Sequence, residues 1–205
     1  TVENSSLLQS CYELNLQSPS QIYFYEDTLR FDFDSQNVNV ADKNGKEWNA
    51  ELLIACDGVN SQARSAAGLR STSLAAHQKA LIARINLNHF HNNKAFQRFL
   101  PDGPIALMPV NTREAALVWS LTNAVADSMF EMPESEFTRQ VRDALGDGFN
   151  ELTLNSKRGI WPLNPSITRS MGKQGLLLAG DSSHSVHPLA GMGFNLALAD
   201  IAVIC

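Results

Sequence analysis

Hydrophobic residues recur along the chain with two different periods. Leu7, Cys11 and Leu14 follow roughly helical spacing, which predicts an amphipathic helix that begins at a cap among residues 4–6. A second helix is predicted over residues 132–146, started by Pro133 or Ser135 and ended by Gly146. Its buried face is predicted to comprise Phe137, Val141, Ala144 and Leu145.

The other segments alternate between apolar and polar residues, as half-buried strands do. Residues 21–50 predict a β-meander whose hairpin turn contains Asn44 and Gly45, because this pair readily adopts the positive φ angles of a tight turn. Residues 81–119 predict a sheet, with Leu81, Ala83 and Ile85 facing inward. The polar stretch 71–79 predicts a loop.

Two short apolar runs, 52–56 and 176–179, predict buried strands that each end near an acidic residue and a glycine. Asp57 and Gly58 follow the first run, and Gly180 and Asp181 follow the second. After residue 181 come a polar loop with Pro188, two glycines and the start of a predicted helix. Such a carboxylate can accept from a sugar hydroxyl, glycines let backbone approach a ligand, and a helix N-terminus favours negative charge. The alternative is an ordinary strand–loop–helix connection.

The stretch 175–200 resembles the second flavin fingerprint of the class A FAD-dependent aromatic hydroxylases. The resemblance implies that Asp181 holds the ribityl hydroxyls of FAD and that Pro188 lies beside the isoalloxazine ring. It also implies that a helix starting at Gly193 directs its amides at the flavin N1 and C2 carbonyl, where the reduced flavin is negative. The cofactor-binding residues implied in this stretch are Asp181, Pro188, Gly191, Met192, Gly193, Phe194 and Asn195.

A second stretch resembles another motif of these hydroxylases, Asp-Gly-x-x-Ser-x-x-Arg. Asp57, Gly58, Ser61 and Arg64 stand at its defining positions, and Asn60 or Ser61 can cap the helix that follows. In that family the motif is associated with the FAD pyrophosphate and with NAD(P)H, which implies cofactor contacts for Asp57, Gly58 and Arg64. For Arg64 the alternative is a solvated surface side chain.

Residues 95–120 resemble the ubiquinone-biosynthesis hydroxylases within this class. The resemblance implies an FAD-dependent monooxygenase that uses NAD(P)H and O2 to hydroxylate a polyprenylated phenol, with no side chain acting as nucleophile or metal ligand. It also implies an α+β or α/β fold: part of a glutathione-reductase-like FAD-binding domain over 1–70 and 171–205, and a β-sheet substrate domain over 71–170. Trp161 either lines the substrate side of the cofactor cleft or packs in the core.

Composition narrows the partners further. The 205-residue chain has net charge −5 and no basic run, which argues against nucleic acid. Three cysteines without metal or redox spacing indicate a reducing compartment, and no apolar run reaches the roughly 18 residues of a membrane span. We therefore expect a cytoplasmic protein with at most peripheral membrane contact.

His89 and His91 could suggest a metal site, but without a third ligand at useful spacing a surface pair is favoured.

The sequence also departs from the family pattern. Residues 1–205 contain no G-x-G-x-x-G fingerprint for the ADP pyrophosphate, so we expect a segment of a longer protein. Met192 stands where Gln is usual, and Ala197 where Gly is usual.

Two alternative functions remain: a related hydroxylase or halogenase-like enzyme acting on a soluble aromatic compound, and a non-catalytic assembly partner of other quinone-biosynthesis proteins. A hydrolase is disfavoured, because no G-x-S-x-G elbow occurs.

Overall fold

The chain folds into two compact units, each built from separate parts of the sequence. The computed structural model describes residues 3–24, 28–34, 36–74, 77–88, 91–149, 151–188 and 191–205. The first unit comprises Thr1–Tyr23 and His77–Leu163, and the second comprises Phe24–Ala76 and Asn164–Cys205. The functional assignments of residues 1–70, 71–170 and 171–205 stay predictions.

The helices and strands of the two units alternate along the chain. The helices are α1 (Asn4–Leu16), α2 (Gln62–Ala66), α3 (Asn123–Glu131), α4 (Glu134–Leu145) and α5 (Met192–Ile204), and a 3-10 turn spans Gly180–Ser182. The strands are β1 (Arg30–Phe33), β2 (Val38–Ala41), β3 (Glu47–Ala50), β4 (Leu53–Ala55), β5 (Ser71–Ser73), β6 (Gln78–Leu87), β7 (Phe96–Arg98), β8 (Ile105–Pro109), β9 (Glu114–Thr122), β10 (Leu152–Leu154), β11 (Gly159–Leu163), β12 (Ser166–Thr168), β13 (Gly172–Lys173), β14 (Leu176–Leu178) and β15 (His184–Ser185). None of the helices within the described ranges is both long and apolar enough to cross a bilayer.

The first unit is built on an antiparallel sheet with β6 at its centre. Strand β6 pairs with β9 along one edge and with β10 and β11 along the other, and β8 and β7 follow beyond β9. The predicted alternation is confirmed, since Leu81 and Ile85 are fully buried whereas Ile82 is partly exposed. One face of the sheet therefore carries the core of this unit.

Two helices complete that core. Helix α4 confirms the prediction over residues 132–146: Phe137, Val141 and Leu145 are buried, and Gly146 ends the helix at φ +83°. Helix α3 was not predicted from the sequence, although Ala126 and Met129 are buried in the same cluster. Both helices supply side chains to the core formed by the inner face of the sheet.

Helix α1 forms as predicted but does not bury an apolar face. None of its residues is buried, and its leucines at 8, 14 and 16 are more than half exposed. It begins after Glu3 rather than at a polar side-chain cap, and the Glu3 carboxylate lies 2.7 Å from the guanidinium of Arg84 on β6. This ion pair connects the start of the helix to the sheet of the same unit.

The second unit opens with the predicted meander. Strands β1, β2 and β3 pair antiparallel in chain order, and Gly45 adopts φ +81° in the hairpin between β2 and β3. The Asp42 carboxylate accepts from the backbone N–H groups of Asn44 and Lys46 and so closes that turn. The strand predicted at the start of this segment is wrong for residues 21–24, which form none, and residue 25 lies outside the described residues.

Two further small sheets lie in the second unit. Strand β14 pairs with β13 antiparallel and with β4 parallel, and β12 pairs antiparallel with β5 and β15. The predicted loop over 71–79 is wrong, because β5 occupies its start and β6 begins at Gln78. The buried-strand prediction is confirmed for β14, but on β4 the Ile54 side chain is 44% exposed.

Candidate functional site

The two acidic motifs follow adjacent strand ends in the second unit. Strands β4 and β14 run parallel in register, with Leu53, Ile54 and Ala55 opposite Leu176, Leu177 and Leu178. Their carboxyl ends therefore lie at one edge of the sheet, where open α/β sheets bind ligands. Asp57 follows the end of β4 and Asp181 follows the end of β14, so the two acidic motifs begin at neighbouring strand ends.

Asp57 caps the short helix that follows it. Its Oδ2 accepts from the backbone N–H groups of Gln62 at 2.8 Å and Ala63 at 3.1 Å. The predicted cap at Ser61 is confirmed, since its hydroxyl accepts from the Arg64 N–H at 3.0 Å. Gly58, between these residues, adopts φ +81° and has open space where a Cβ would stand. The structure thus shows a helix-capping role for Asp57, and its cofactor role stays a prediction.

Arg64 is buried and joins the two motifs. Its side chain donates from Nη1 to the Ser182 carbonyl and from Nη2 to the Val59 carbonyl, both at 2.7 Å. The alternative of a solvated surface arginine is wrong, because the residue is only 8% exposed. These hydrogen bonds hold the loop after β4 against the turn after β14, and a contact between Arg64 and a cofactor stays a prediction.

Ser182 is a functional candidate that the sequence reasoning missed. It is fully buried, and its hydroxyl lies 2.6 Å from the Ala55 carbonyl oxygen and 2.8 Å from that of Ala179. The hydroxyl also accepts from the Ala179 N–H at 3.1 Å. It therefore satisfies backbone groups at the ends of both β4 and β14. The only signal in the sequence was a small polar residue directly after the strand-ending acid.

Asp181 presents its side chain to solvent from the 3-10 turn that Ser182 closes. The neighbouring Gly180 takes φ +61°, and its N–H donates to the carboxylate of Asp200 on α5 at 2.7 Å. The same carboxylate lies 2.9 Å from Nε2 of His184. Sequence reasoning did not identify His184 or Asp200 as a pair, because they lie on different elements.

Helix α5 begins without a side-chain cap. The helix begins at Met192, one residue earlier than predicted, and its cap Gly191 takes φ +63° without any capping side chain. The N–H of Gly191, directly before the helix, donates to the Pro188 carbonyl at 3.2 Å. Among the residues that the structure describes, no capping side chain accepts from the first-turn N–H groups, which are those of Met192, Gly193, Phe194 and Asn195.

These features fit a polar, negatively charged ligand such as a dinucleotide. An exposed carboxylate at Asp181 can accept from hydroxyl groups, and the α5 N-terminus attracts negative charge through its N–H groups and dipole. Open space beside Gly58 and Gly191 lets ligand atoms approach the backbone closely. The carboxylate, the glycines and the helix N–H groups at this edge therefore fit FAD, and their individual contacts with it stay predictions.

The first unit holds a separate cavity of about 340 Å³ on its sheet. Ile82, Ala116 and Val118 contribute its apolar floor, and Arg84 and Trp161 stand among the lining residues. Trp161 is 56% exposed, so the core-packing interpretation of this residue is wrong. Its ring covers Gly159, where a Cβ would come within 2.2 Å of the ring. That Trp161 lines a substrate cleft stays a prediction.

The predicted surface pair of histidines is described only in part. His89 lies outside the described residues, and the ring of His91 hydrogen-bonds through Nε2 to the Asn111 carbonyl and accepts the Asn93 N–H at Nδ1. Among the residues that the structure describes, no three His, Cys, Asp or Glu side chains come together as a metal site. Cys11, Cys56 and Cys205 are exposed free thiols.

Comparison with known proteins identifies the family. A family model described as FAD binding domain matches residues 10–205. The chain belongs to this FAD-binding family. The predicted resemblance to flavin-dependent hydroxylases is thereby confirmed.

Relatives within the family include ubiquinone-biosynthesis proteins. The ubiquinone biosynthesis monooxygenase COQ6 of Drosophila melanogaster is 30% identical over 98% of this chain and 50% of its own length. The ubiquinone hydroxylase UbiL of Rhodospirillum rubrum is 29% identical over 86% of this chain and 41% of its own length. The chain thus spans half or less of these family members.

Solved structures support the predicted fold class. The p-nitrophenol 4-monooxygenase PnpA of Pseudomonas putida matches 99% of this chain and 55% of its own chain with TM-score 0.72 at 17% identity. The flavin-dependent brominase Bmp2 matches 98% of this chain and 53% of its own with TM-score 0.76 at 10% identity. At these identities the likeness shows a shared fold.

Proposed function

We propose that the protein containing this chain is an FAD-dependent monooxygenase that hydroxylates the ring of a prenylated phenol on the route to ubiquinone. The observation that carries the proposal is the edge where β4 and β14 end side by side. There the exposed Asp181 and the uncapped N-terminus of α5 belong to one family-matched stretch. The named functions of the ubiquinone-biosynthesis relatives support the substrate class.

Each part of this edge has a role towards the cofactor. Asp181 accepts from the hydroxyls of the ribityl chain, and the amides of the first turn of α5 stabilise the negative charge of reduced flavin. Pro188 shapes the approach to the ring, while Gly58 and the loop held by Arg64 serve the pyrophosphate side. When bound, FAD supplies the redox chemistry, and the protein supplies binding, orientation and exclusion of water.

The overall reaction needs NAD(P)H and O2 as co-substrates. A ring C–H bond becomes C–OH with one oxygen atom of O2, and the other oxygen leaves as water. NAD(P)H gives up two electrons as a hydride and becomes NAD(P)+, and one proton from solvent completes the water. The proposed location is the cytoplasm. Because the prenylated substrate is lipidic, the protein makes at most peripheral contact with a membrane. Other quinone-biosynthesis proteins are its proposed partners.

Purification of the full-length gene product tests this proposal. We expect a yellow protein whose NAD(P)H consumption rises when a prenylated phenol is added, with one atom of 18O2 recovered in the product. A soluble aromatic acid and a halide salt serve as alternative substrates. Incorporation of halogen, faster turnover of the acid, or a colourless protein without turnover would contradict the proposal.

A matched pair of variants tests the site itself. Asp181→Ala removes the proposed ribityl acceptor and should weaken FAD binding by about 10- to 100-fold, as expected for a hydrogen bond to a charged group. Asp102→Ala makes the same substitution at an exposed turn of the first unit and should leave FAD binding unchanged. Equal FAD affinities of the two variants would show that Asp181 is not a ligand.

A further inference from the structure

A carboxylate within α5 connects this helix to the turn that carries Asp181. Asp200 accepts from the Gly180 N–H at 2.7 Å and lies 2.9 Å from Nε2 of His184. The side chains of His184 and Asp200 are 19% and 13% exposed. One carboxylate therefore contacts both the beginning of the turn and the strand β15 that follows it.

Close packing accompanies these hydrogen bonds. A Cβ on Gly180 would stand 3.2 Å from the Cβ of Ala197, so the turn and the helix approach each other without an intervening side chain. Ala197 and Asp200 are three residues apart and lie on the same face of α5. This face of the helix thus meets the 3-10 turn through one small residue and one charged residue.

Asp200 is suited to hold both donors at once. Burial alone raises the pKa of Asp200, but the hydrogen bonds from the Gly180 N–H and His184, with the charge of His184, outweigh burial and lower it. Cys56, which follows β4, is close enough for the charge of Asp200 to act on its thiol. Burial raises the pKa of the Cys56 thiol, and the charges of Asp57 and Asp200 raise it further. Asp200 is thus ionised at neutral pH, and charged acceptors form the stronger hydrogen bonds.

We propose that Asp200 is a positioning residue for FAD: by accepting from Gly180 and His184, it sets the spacing between Asp181 and the first turn of α5. Asp181 directly follows Gly180, and α5 begins eight residues before Asp200. Asp200 therefore links the turn that carries Asp181 to α5 at a point about two helical turns beyond the first residue of the helix. This inference rests on the proposed function, since it assigns FAD to that site.

The test uses the full-length protein with Asp200→Asn, which keeps the shape of the side chain but removes its charge. We expect the dissociation constant of FAD to rise by about 10- to 100-fold, because a charge-assisted pair is lost. At saturating FAD, the visible spectrum and the midpoint potential of the bound flavin should also shift, because the α5 amides move relative to the ring. Lower stability alone would leave both properties of the bound flavin unchanged.

Two further variants and a cycle make the result decisive. Asp127→Asn removes an exposed acid that pairs with Lys79 in the first unit, and it should change neither affinity nor spectrum. His184→Gln keeps the contact between Asp200 and Gly180, so it should shift the flavin spectrum in the same direction as Asp200→Asn but by less. This variant provides the test if Asp200→Asn does not fold. The effects of Asp200→Asn and Asp181→Asn on FAD binding should not be additive, because one acts through the other.

The outcomes separate this inference from the proposed function. A wild-type protein that binds no FAD would end the proposed function and this inference with it. A wild-type protein that binds FAD, with Asp200→Asn and His184→Gln matching it in affinity, spectrum and potential, would overturn the positioning role alone. Additive effects of Asp200→Asn and Asp181→Asn would likewise overturn it.

Discussion

Single polar side chains hold the second unit together where its two parallel strands end. Ser182 bonds the backbone at the ends of β4 and β14, and Arg64 adds a hydrogen bond to the Ser182 carbonyl. Both side chains are buried, so water cannot replace their hydrogen bonds if either side chain is removed. At this scale the candidate site depends on residues that need not touch a ligand.

Replacing Ser182 tests this dependence. Ser182→Ala should reduce the free energy of unfolding by about 0.5–1.5 kcal/mol, because the buried hydrogen bonds of its hydroxyl are lost while the Ala179 N–H keeps its bond to the Ala55 carbonyl. Urea denaturation followed by circular dichroism measures the change. Ser73→Ala, at an exposed position of β5, serves as the control and should have almost no effect. An equally small effect of Ser182→Ala would contradict the bonding role.

Elements contact each other through backbone at several points in both units. In the first unit, the turn before β8 packs directly on β9: the Ser120 N–H donates to the Pro104 carbonyl at 2.9 Å. A Cβ on Gly103 would stand 2.1 Å from the Ser120 carbonyl oxygen. In the second unit the approach is less tight, since a Cβ on Gly180 would stand 3.2 Å from the Cβ of Ala197. At Gly103, glycine is required by space as well as by φ.

A pair of glycine substitutions separates these two requirements. Gly103 and Gly148 both have positive φ, +129° and +101°, but open space surrounds the Cβ position of Gly148. Both alanine variants carry backbone strain, and only Gly103→Ala adds a clash with β9. We expect Gly103→Ala to lose about 1–3 kcal/mol more stability than Gly148→Ala, as overpacking does. Thermal unfolding measures the difference, and equal losses would contradict the close packing.

At the scale of the whole molecule, the chain contributes part of the proposed cofactor site. It carries the Asp57 and Asp181 stretches, but no G-x-G-x-x-G fingerprint stands within residues 1–205. That fingerprint holds the ADP pyrophosphate in dinucleotide-binding folds. The chain also spans half or less of its ubiquinone-biosynthesis relatives.

The affinity of the 205-residue chain for FAD follows from this partial site. We expect weak binding or none, because the glycine fingerprint that holds the ADP pyrophosphate is missing from these residues. Isothermal titration of the chain with FAD measures the affinity, and the full-length protein provides the comparison. A submicromolar dissociation constant for the 205-residue chain would show the expectation wrong.

Several predictions from the sequence succeeded because their signals are local. The buried alternation of Leu81 and Ile85, the cap at Ser61 and the hairpin at Gly45 each depend on neighbouring residues only. Predictions failed where burial depends on what lies above a strand: Ile54 has an apolar side chain that remains 44% exposed. The exposure of Trp161 was equally hard to predict, because the periodicity of apolar residues does not show whether another element covers that face of the sheet.

The sequence alone determined the helix and strand periods, the two acidic strand ends and the family, because each depends on the spacing of residues that are close together along the chain. Only the tertiary structure decided how those strand ends are joined. The Arg64–Ser182 hydrogen bond links residues 118 positions apart, and the Ser182–Ala55 bond links residues 127 positions apart. The contact of Asp200 with Gly180 depends likewise on how α5 packs against the turn. Such partners are chosen by the fold in three dimensions, because hydrogen bonds act over about 3 Å whatever the separation along the chain.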